Sequence, residues 1–437
     1  MKVTRLKGGI HPPYQKSLTS DCETVFLEPG QLVYIPLVQH IGTPCLPTVC
    51  VGDQVLAGQK IGDSEAFVSS PVHSSVSGKV IEIKKHLHPN GTMVDTVVIE
   101  NDFKYKTVPT AKKNYHKIPS GKILEIIRDA GIVGMGGAGF PAHIKLSTQK
   151  EKPIDCVIIN GAECEPYLSS DHRALLEQPE DLIRGLEIIM KTVRSKRGVI
   201  AIEDNKCDTI GRIKELIGKR SIEVAVLKTK YPQGSEKHII KSVLGRTVPS
   251  GKLPADVGAV VTNVDTALSI KNALDTGMPV IRRRVTVSGL GIKNPAVFSV
   301  RIGTPFEEVI AAAGGLNEDV QKIISGGPMT GTQIFDTDLP VVKTTSGILA
   351  LSSKETQIFE EGPCLRCGKC VAACPMNLMP LDICTAGRVG DAEKALKLHA
   401  ADCVECGCCS YACPSRRNLT ESVRLAKNQV QTLLRKK

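Results

Sequence analysis

The sequence predicts a multidomain protein of mixed α/β and α+β character, and three observations predict it. The chain has 437 residues, whereas one hydrophobic core rarely grows beyond about 250–300 residues. Short apolar runs alternate with helically spaced ones through the middle of the chain, the rhythm of successive βαβ units. Ten of the 16 cysteines fall between Cys364 and Cys413, which marks a separate C-terminal module. Hydrophobic residues at 41% and charged residues at 23% are those of a folded globular chain, not a disordered or fibrous one. No run of 18 apolar residues occurs, so no bilayer-spanning helix is expected. The opening MKVTRLKGGIHPPYQK lacks the apolar stretch of a secretory signal, so a cytosolic, reducing setting is expected. Cysteines there more often bind metal or carry redox chemistry than form disulfides. The net charge of +11 invites nucleic acid as a partner, but aromatics are only 3% with no Trp, so platforms for stacking bases are scarce. No nucleic-acid partner is expected. Phosphate-bearing cofactors, acidic proteins or an anionic membrane surface remain as attractors of such charge.

Residues 1–105 read as an N-terminal β domain. VGDQVLAGQKIGDSEAFVSSPVHSSVSGKVIEI (51–83) has the rhythm of a biotinyl or lipoyl domain, with GDxVxxGQ followed by SPVxxxVSGKV, and predicts a β barrel-sandwich hybrid. Such folds carry a modifiable lysine at a hairpin tip. Here the tip falls near SEAF (64–67), which has none, so a docking or structural module is expected and not a carrier.

Residues 115–275 read as an α/β domain. GKILEIIRDAGIV spaces Ile123, Ile126, Ile127 and Ala130 as a helix, and GIVGMGGAGFPAHIKL (131–146) follows it. Gly134, Gly136 and Gly139 make a literal GxGxxG. A dinucleotide fingerprint should follow a strand, and this one follows a helix, so the motif alone is weak. A glycine run still exposes backbone N–H groups, lets a phosphate or flat ring approach, and feeds a helix in which Pro141 suits the first turn and Lys145 can reach an anion. The apolar run from Cys156 to Ile159 reads as a buried parallel strand that delivers Asn160, Glu163 and Glu165 to its carboxyl end, where ligands bind in open α/β sheets. Further strands are expected at 197–204 and 222–232, helices at 207–220 and 234–245, and a strand, a loop and a helix over 258–274. The bland readings are a tight glycine turn, a solvated Lys145, helix N-terminal carboxylates at Glu163 and Glu165, and a polar wall residue at His143.

Residues 355–420 hold the cysteines. CLRCGKCVAACP gives Cys364, Cys367, Cys370 and Cys374, then Pro375; CVECGCCSYACP gives Cys403, Cys406, Cys409 and Cys413, then Pro414. Each is the C-x2-C-x2-C-x3-C-P run of two-cluster ferredoxins, in which three thiolates wrap one [4Fe–4S] cube and the fourth reaches the other. One set is therefore Cys364, Cys367, Cys370 and Cys413; the other is Cys403, Cys406, Cys409 and Cys374. Zinc would use two separated C-x2-C pairs without the third and fourth cysteines. Cys384 and Cys408 are left as buried or neighbouring thiols. The long connection, with a helix over 392–402, predicts a helical two-cluster ferredoxin module. In the basic tail, 421–437, Val423, Ala426, Val430 and Leu433 share one helical face; a solvated terminal helix, or one touching membrane or a partner, is expected.

Taken in order, GMGGAGFPAHIKL, NGAECEPYLSSDHR, YPQGSEKHIIKSVLGR and VVTNVDTAL resemble the flavin and NADH segments of the NADH-oxidising subunit of respiratory complex I. The opening LKGGIHPPYQKSLT and the twin cysteine motif look instead like the C subunits of Rnf complexes, the membrane ferredoxin:NAD oxidoreductases. That resemblance covers about residues 1–420. It implies a Rossmann-like FMN-binding α/β domain and, over 277–350, a β-grasp ligand-binding domain of two strands and a helix. Gly134, Gly136, Gly137 and Gly139 would cradle FMN. Lys145 would contact the FMN phosphate or the nucleotide, Asn160 and Asn263 the polar edge of the flavin, and Glu163, Glu165 and Glu236 the NADH side. Phe140 is the aromatic available to stack. Lys145, Glu163 and Glu165 are the implied catalytic groups. Met135 stands where the complex I loop usually has Arg. The run Arg282, Arg283 and Arg284 is expected to be solvated or partner-facing.

The resulting expectation is an electron-transfer subunit, peripheral to the cytoplasmic side of the cell membrane. It would exchange electrons between NAD(H) and the rest of an ion-translocating complex through FMN and two [4Fe–4S] clusters. Its expected partners are integral-membrane and peripheral subunits of that complex, a ferredoxin or ferredoxin-like subunit, and NADH. The rival readings are a cobalamin reductase of a diol-utilisation microcompartment and a non-catalytic relay that only docks ferredoxin.

Overall fold

The computed structural model describes residues 3–4, 6–147, 152–357 and 359–436. The central sheet has four parallel strands, in the order Ile222–Leu227, Arg197–Glu203, Cys156–Gly161 and Ala259–Asn263. Side chains alternate along each strand. Val157 and Ile159 therefore join Ile200, Ile202 and Val260 beneath helices Ser120–Asp129, Pro179–Val193, Cys207–Ile217 and Val264–Thr276. Cys156 and Ile158 face the other way, onto Ile239, Ile240 and Val243 of helix Glu236–Leu244. Both faces are covered, which is why these strands read as continuous apolar runs. The strand order reverses between Cys156–Gly161 and Ala259–Asn263, where Asn160 and Asn263 are register partners. The sheet's ligand-binding crevice is expected at this reversal. No loop separates strand Ala259–Asn263 from the next helix, contrary to expectation: the Asn263 side chain accepts the N–H groups of Asp265 and Thr266 and caps the helix directly.

The second sheet has six strands, ordered Thr24–Leu27, Ala296–Arg301, Arg282–Ser288, Gly347–Ser352, Val320–Ser325 and Thr332–Ile334, with helix Phe306–Ala312 packed on it. The expected two strands and helix are there. The edge strand Thr24–Leu27 is not local, because it comes from the N-terminal region and pairs in parallel with Ala296–Arg301. The remainder of that region forms a four-stranded and a three-stranded sheet around one core of Val33, Ile35, Ile61, Val72, Val80, Val97 and Ile99. At its tip Asp63 binds Lys60 and Arg128, which docks the tip on helix Ser120–Asp129.

Two expectations fail here. Arg282, Arg283 and Arg284 are not a solvated run. Arg283 is 2% exposed and both it and Arg284 bind Asp265, while Arg282 binds Glu28. Strand alternation sends Arg283 inward, and Asp265 in the first turn of the helix after Asn263 waits there. Nor is the tail solvated. Helix Leu419–Lys436 buries Val423, Ala426 and Val430 against Ile383, Ala386 and Ala395, closing the core of the cysteine-rich domain. Among the described residues no helix is long and apolar enough to cross a membrane.

Candidate functional site

A cavity of about 330 Å³ opens at the carboxyl ends of the parallel strands. That size suits a small cofactor or ligand. Its walls come from the glycine loop (Met135, Gly136, Gly137), Asn160 near the end of the first parallel strand, Glu163 and Glu165 in the turn after it, Asp171 and Asn263, and the second sheet's segments 325–332 and 342–346. The glycine loop closes on itself through Gly134 N–H to Phe140 O at 2.8 Å and Gly139 N–H to Gly134 O at 3.0 Å. Met135 N–H is tied to Thr266 Oγ1 at 2.9 Å. Among the described residues, the N–H groups of Gly136, Gly137 and Ala138 bind no protein acceptor. Gly137 has φ +107°, and a Cβ there would meet nothing within 4 Å. The bend is thus a row of free donors beside open space, a site for an anion or a flat ring edge.

The acidic wall is held by backbone. Glu163 adopts φ +47° and accepts the N–H groups of Asp171 at 2.6 Å and His172 at 3.3 Å, which caps helix Ser170–Glu177. Lys16 stands 3.8 Å from it. Glu165 accepts Met329 N–H at 3.0 Å and Thr330 Oγ1–H at 2.5 Å, and burial pushes its carboxyl above the usual range. It thereby ties the 327–331 loop to the first parallel strand. Asn160 donates to Gly234 O at 2.8 Å. Asn263 donates to Asp171 Oδ2 at 2.7 Å. Asp171 Oδ1 is buried with no partner, and burial together with Glu163 and Asp265 pushes this carboxyl up to about 8.

Gly136, Gly137, Asn160, Glu163, Glu165 and Asn263 therefore meet around one cavity. Phe140 and Lys145 do not line it. They line a smaller neighbouring cavity with Gly134 and Thr266. Lys145 forms an ion pair with Glu236 at 2.5 Å, so these two meet each other rather than the acidic wall. Gly139 packs against Thr344 and His40, and a Cβ there would stand 3.0 Å from Thr344 Cγ2. Sequence reasoning missed Asp171, Arg283 and Lys16. Asp171 lies within the NGAECEPYLSSDHR motif, and only its loss of every polar partner for one oxygen sets it apart. Arg283 donates to Met135 O at 2.8 Å and so fixes the glycine loop from the second sheet.

Cys374, Cys403, Cys406 and Cys409 line one cavity. The Cys370 thiol is pushed up by burial and by the nearby Cys413 and Cys364. The two motifs superpose in backbone habit, 39 residues apart: Arg366 and Glu405, Gly368 and Gly407, and Asn377 and Arg416 are all left-handed. These turns aim N–H groups at sulfur, with Arg366 to Cys364 at 3.4 Å, Glu405 to Cys403 at 3.3 Å and Leu378 to Cys374 at 3.4 Å. Amides aimed at sulfur and thiols spread around a hollow fit a cubane. Among the described residues no three His, Cys, Asp or Glu side chains gather tightly enough for a single metal ion. Cys384 and Cys408 are buried.

Comparison with known proteins finds four matched segments along the chain. Residues 4–104 match the RnfC barrel sandwich hybrid domain, 127–272 the Nuo51 FMN-binding domain, 284–333 the SLBB domain and 363–416 the 4Fe-4S dicluster domain. The chain is 46% identical over 434 residues to the C subunit of the Na(+)-translocating ferredoxin:NAD(+) oxidoreductase complex of Acetobacterium woodii, covering 98% of both chains. The chain belongs to the RnfC family. The C subunit of the proton-translocating ferredoxin:NAD(+) oxidoreductase complex of Clostridium ljungdahlii is 45% identical over 86% of this chain and 82% of its own. The C subunit of the ion-translocating oxidoreductase complex of Rhodobacter capsulatus is 40% identical over 90% and 77%. As an RnfC chain it is an electron-transfer subunit of a multi-subunit ion-translocating oxidoreductase, with an FMN-binding domain and two [4Fe–4S] sites.

Proposed function

We propose that NADH gives up its hydride in the cavity at the sheet's carboxyl ends. The two electrons then leave singly through the Cys374, Cys403, Cys406 and Cys409 nest and next through the Cys364, Cys367, Cys370 and Cys413 nest. NADH becomes NAD(+), one proton is released, and a one-electron acceptor is reduced twice; the reverse direction uses the same parts. FMN, when bound, supplies the conversion between hydride and single-electron chemistry. The chain's own residues do the rest. The free N–H groups of Gly136 and Gly137 bind and orient, with Asn160 and Asn263 as polar neighbours. Glu163 and Glu165 shape the nucleotide side, their carboxylates held by backbone. Lys145 with Glu236 supports the glycine loop from behind.

A single observation carries this reading: the cavity and a thiol nest share a wall. Cys164 lines the cavity and packs with Tyr231, Cys406 and Cys408 in one apolar cluster. The far nest opens outward. Residues 363–369, which include Cys364 and Cys367, are all exposed, and they carry Arg366 and Lys369 with no acidic residue. This supports an acidic one-electron partner, a ferredoxin or ferredoxin-like subunit, docking at that nest. Peripheral attachment on the cytoplasmic side of the cell membrane belongs to the same proposal, with ion movement left to integral-membrane partners. Anaerobic reconstitution with FMN, iron and sulfide, followed by titration with NADH and NADPH, tests the reading. NADH should bleach the flavin; a flavin that stays oxidised under NADH leaves only a docking scaffold.

A further inference from the structure

The GGIHPP opening has no role in the relay described so far, yet it lies at the junction between cavity and thiol nest. Gly9 donates to Ala373 O at 2.8 Å, and Ile10 and Tyr231 exchange N–H···O bonds at 2.8 and 3.0 Å. The strap therefore pairs on one side with the segment that carries Cys374 and on the other with the flavin domain. Both glycines are left-handed, Gly8 at φ +64° and Gly9 at φ +76°. A Cβ on Gly8 would stand 2.6 Å from the Cys374 carbonyl oxygen, and one on Gly9 would stand 2.5 Å from the Tyr231 carbonyl oxygen. Both obstacles are backbone, so a side chain can enter only if the segments move apart. Immediately beside this seam Ile10, Cys164, Tyr231, Ala373 and Cys408 are buried together, with Cys406 against them. A second tether crosses it: His238 contacts Pro375 O at 3.2 Å.

We infer that Gly8 and Gly9 are a spacer that fixes how close the Cys374 nest lies to the cavity, and that their lack of side chains sets the rate of electron passage across the seam. The inference rests on the electron-relay reading above. These are positioning residues: neither touches the cavity or a thiol.

The test compares the reconstituted wild type with Gly8→Ala, Gly9→Ala and Gly52→Ala. Gly52 is also left-handed, at φ +99°, but a Cβ there meets nothing, so it controls for backbone strain alone. Two phases are followed anaerobically after mixing with NADH, flavin bleaching and then cluster bleaching. Iron content, the dithionite-reduced electron-paramagnetic spectrum and amide exchange over 371–377 are measured alongside. The first phase should be unchanged in all variants, and the second should slow by on the order of tenfold or more in the Gly8 and Gly9 variants only. Amide exchange at 371–377 should rise in those same variants. His238→Ala should slow the second phase in the same direction without crowding the strap, and His238→Gln should restore it. Because it adds no atoms at the seam, this pair keeps the test alive if a glycine variant does not fold. A wild type whose flavin does not bleach overturns the relay reading itself. A normal wild type with fully loaded variants, including His238→Ala, that run both phases at its rate overturns the spacer.

Discussion

The Glu163 carboxylate accepts the Asp171 amide at 2.6 Å, so the acidic group on the cavity wall is also the cap of helix Ser170–Glu177. Its charge is used structurally before any nucleotide arrives. Removing a capping side chain typically costs about 0.5–2 kcal/mol. Glu163→Ala should therefore lower the stability of the apo chain by about 1–2 kcal/mol, read by denaturant unfolding. Glu163→Gln keeps one acceptor and should lose less than half of that. Equal losses for both would show that charge at the helix end, not the hydrogen bond, does the capping.

Arg283 and Asp265 form a buried ion pair, each 9% exposed or less. Arg283→Met leaves Arg284, among the described residues, as the cation on Asp265 and frees the Met135 carbonyl. Breaking such a pair from one side costs about 3–5 kcal/mol, and Arg284 should hold the loss near the lower end. The glycine loop loses its anchor, so FMN affinity should fall in the same variant while iron content stays constant. Unchanged flavin binding would disconnect the second sheet from the loop.

Lys343 is fully buried, and its Nζ donates to Pro71 O at 2.8 Å and Gly131 O at 2.7 Å, joining three domains behind the glycine loop. Burial pushes its pKa down to about 7. The folded chain therefore binds fewer protons than the unfolded chain between about pH 7 and the ordinary lysine value near 10.4, and stability from this group rises with pH across that window. Lys343→Met should abolish that slope. It should also cost about 1–3 kcal/mol at pH 9 by orphaning two carbonyls. An unchanged slope would assign the pH dependence to other groups.

The proposed crossing of the two ligand sets can be counted directly. Cys374→Ser should remove the cluster shared with Cys403, Cys406 and Cys409, and Cys413→Ser the one shared with Cys364, Cys367 and Cys370. Each variant should fall from about eight to about four irons, with only one paramagnetic signal left. The lost signal should differ between the two variants. Loss of the same signal from both would overturn the crossing.

What the sequence made legible was local. The cysteine runs announce themselves because four ligands and a proline sit within twelve residues, and the parallel strands because both their faces are buried. What stayed hidden depends on partners far along the chain. Arg283 finds Asp265, Lys145 finds Glu236, and Thr24–Leu27 finds a strand 273 residues further along the chain, Thr24 pairing with Val297. A run of three arginines looks solvated until strand alternation and a helix start bring a carboxylate to the middle one. The tail's apolar face was visible from its spacing, but not that helix Pro380–Arg388 lay ready to cover it.

The central claim is that hydride electrons enter at the cavity and reach the thiol nests within this one chain. Freeze-quenching the FMN- and cluster-reconstituted chain after one equivalent of NADH tests it most directly. Paramagnetic reduced-cluster signals should appear as the flavin absorbance falls, without any added partner. Clusters that stay oxidised under NADH, in protein whose flavin has bleached and whose clusters dithionite reduces, would contradict it.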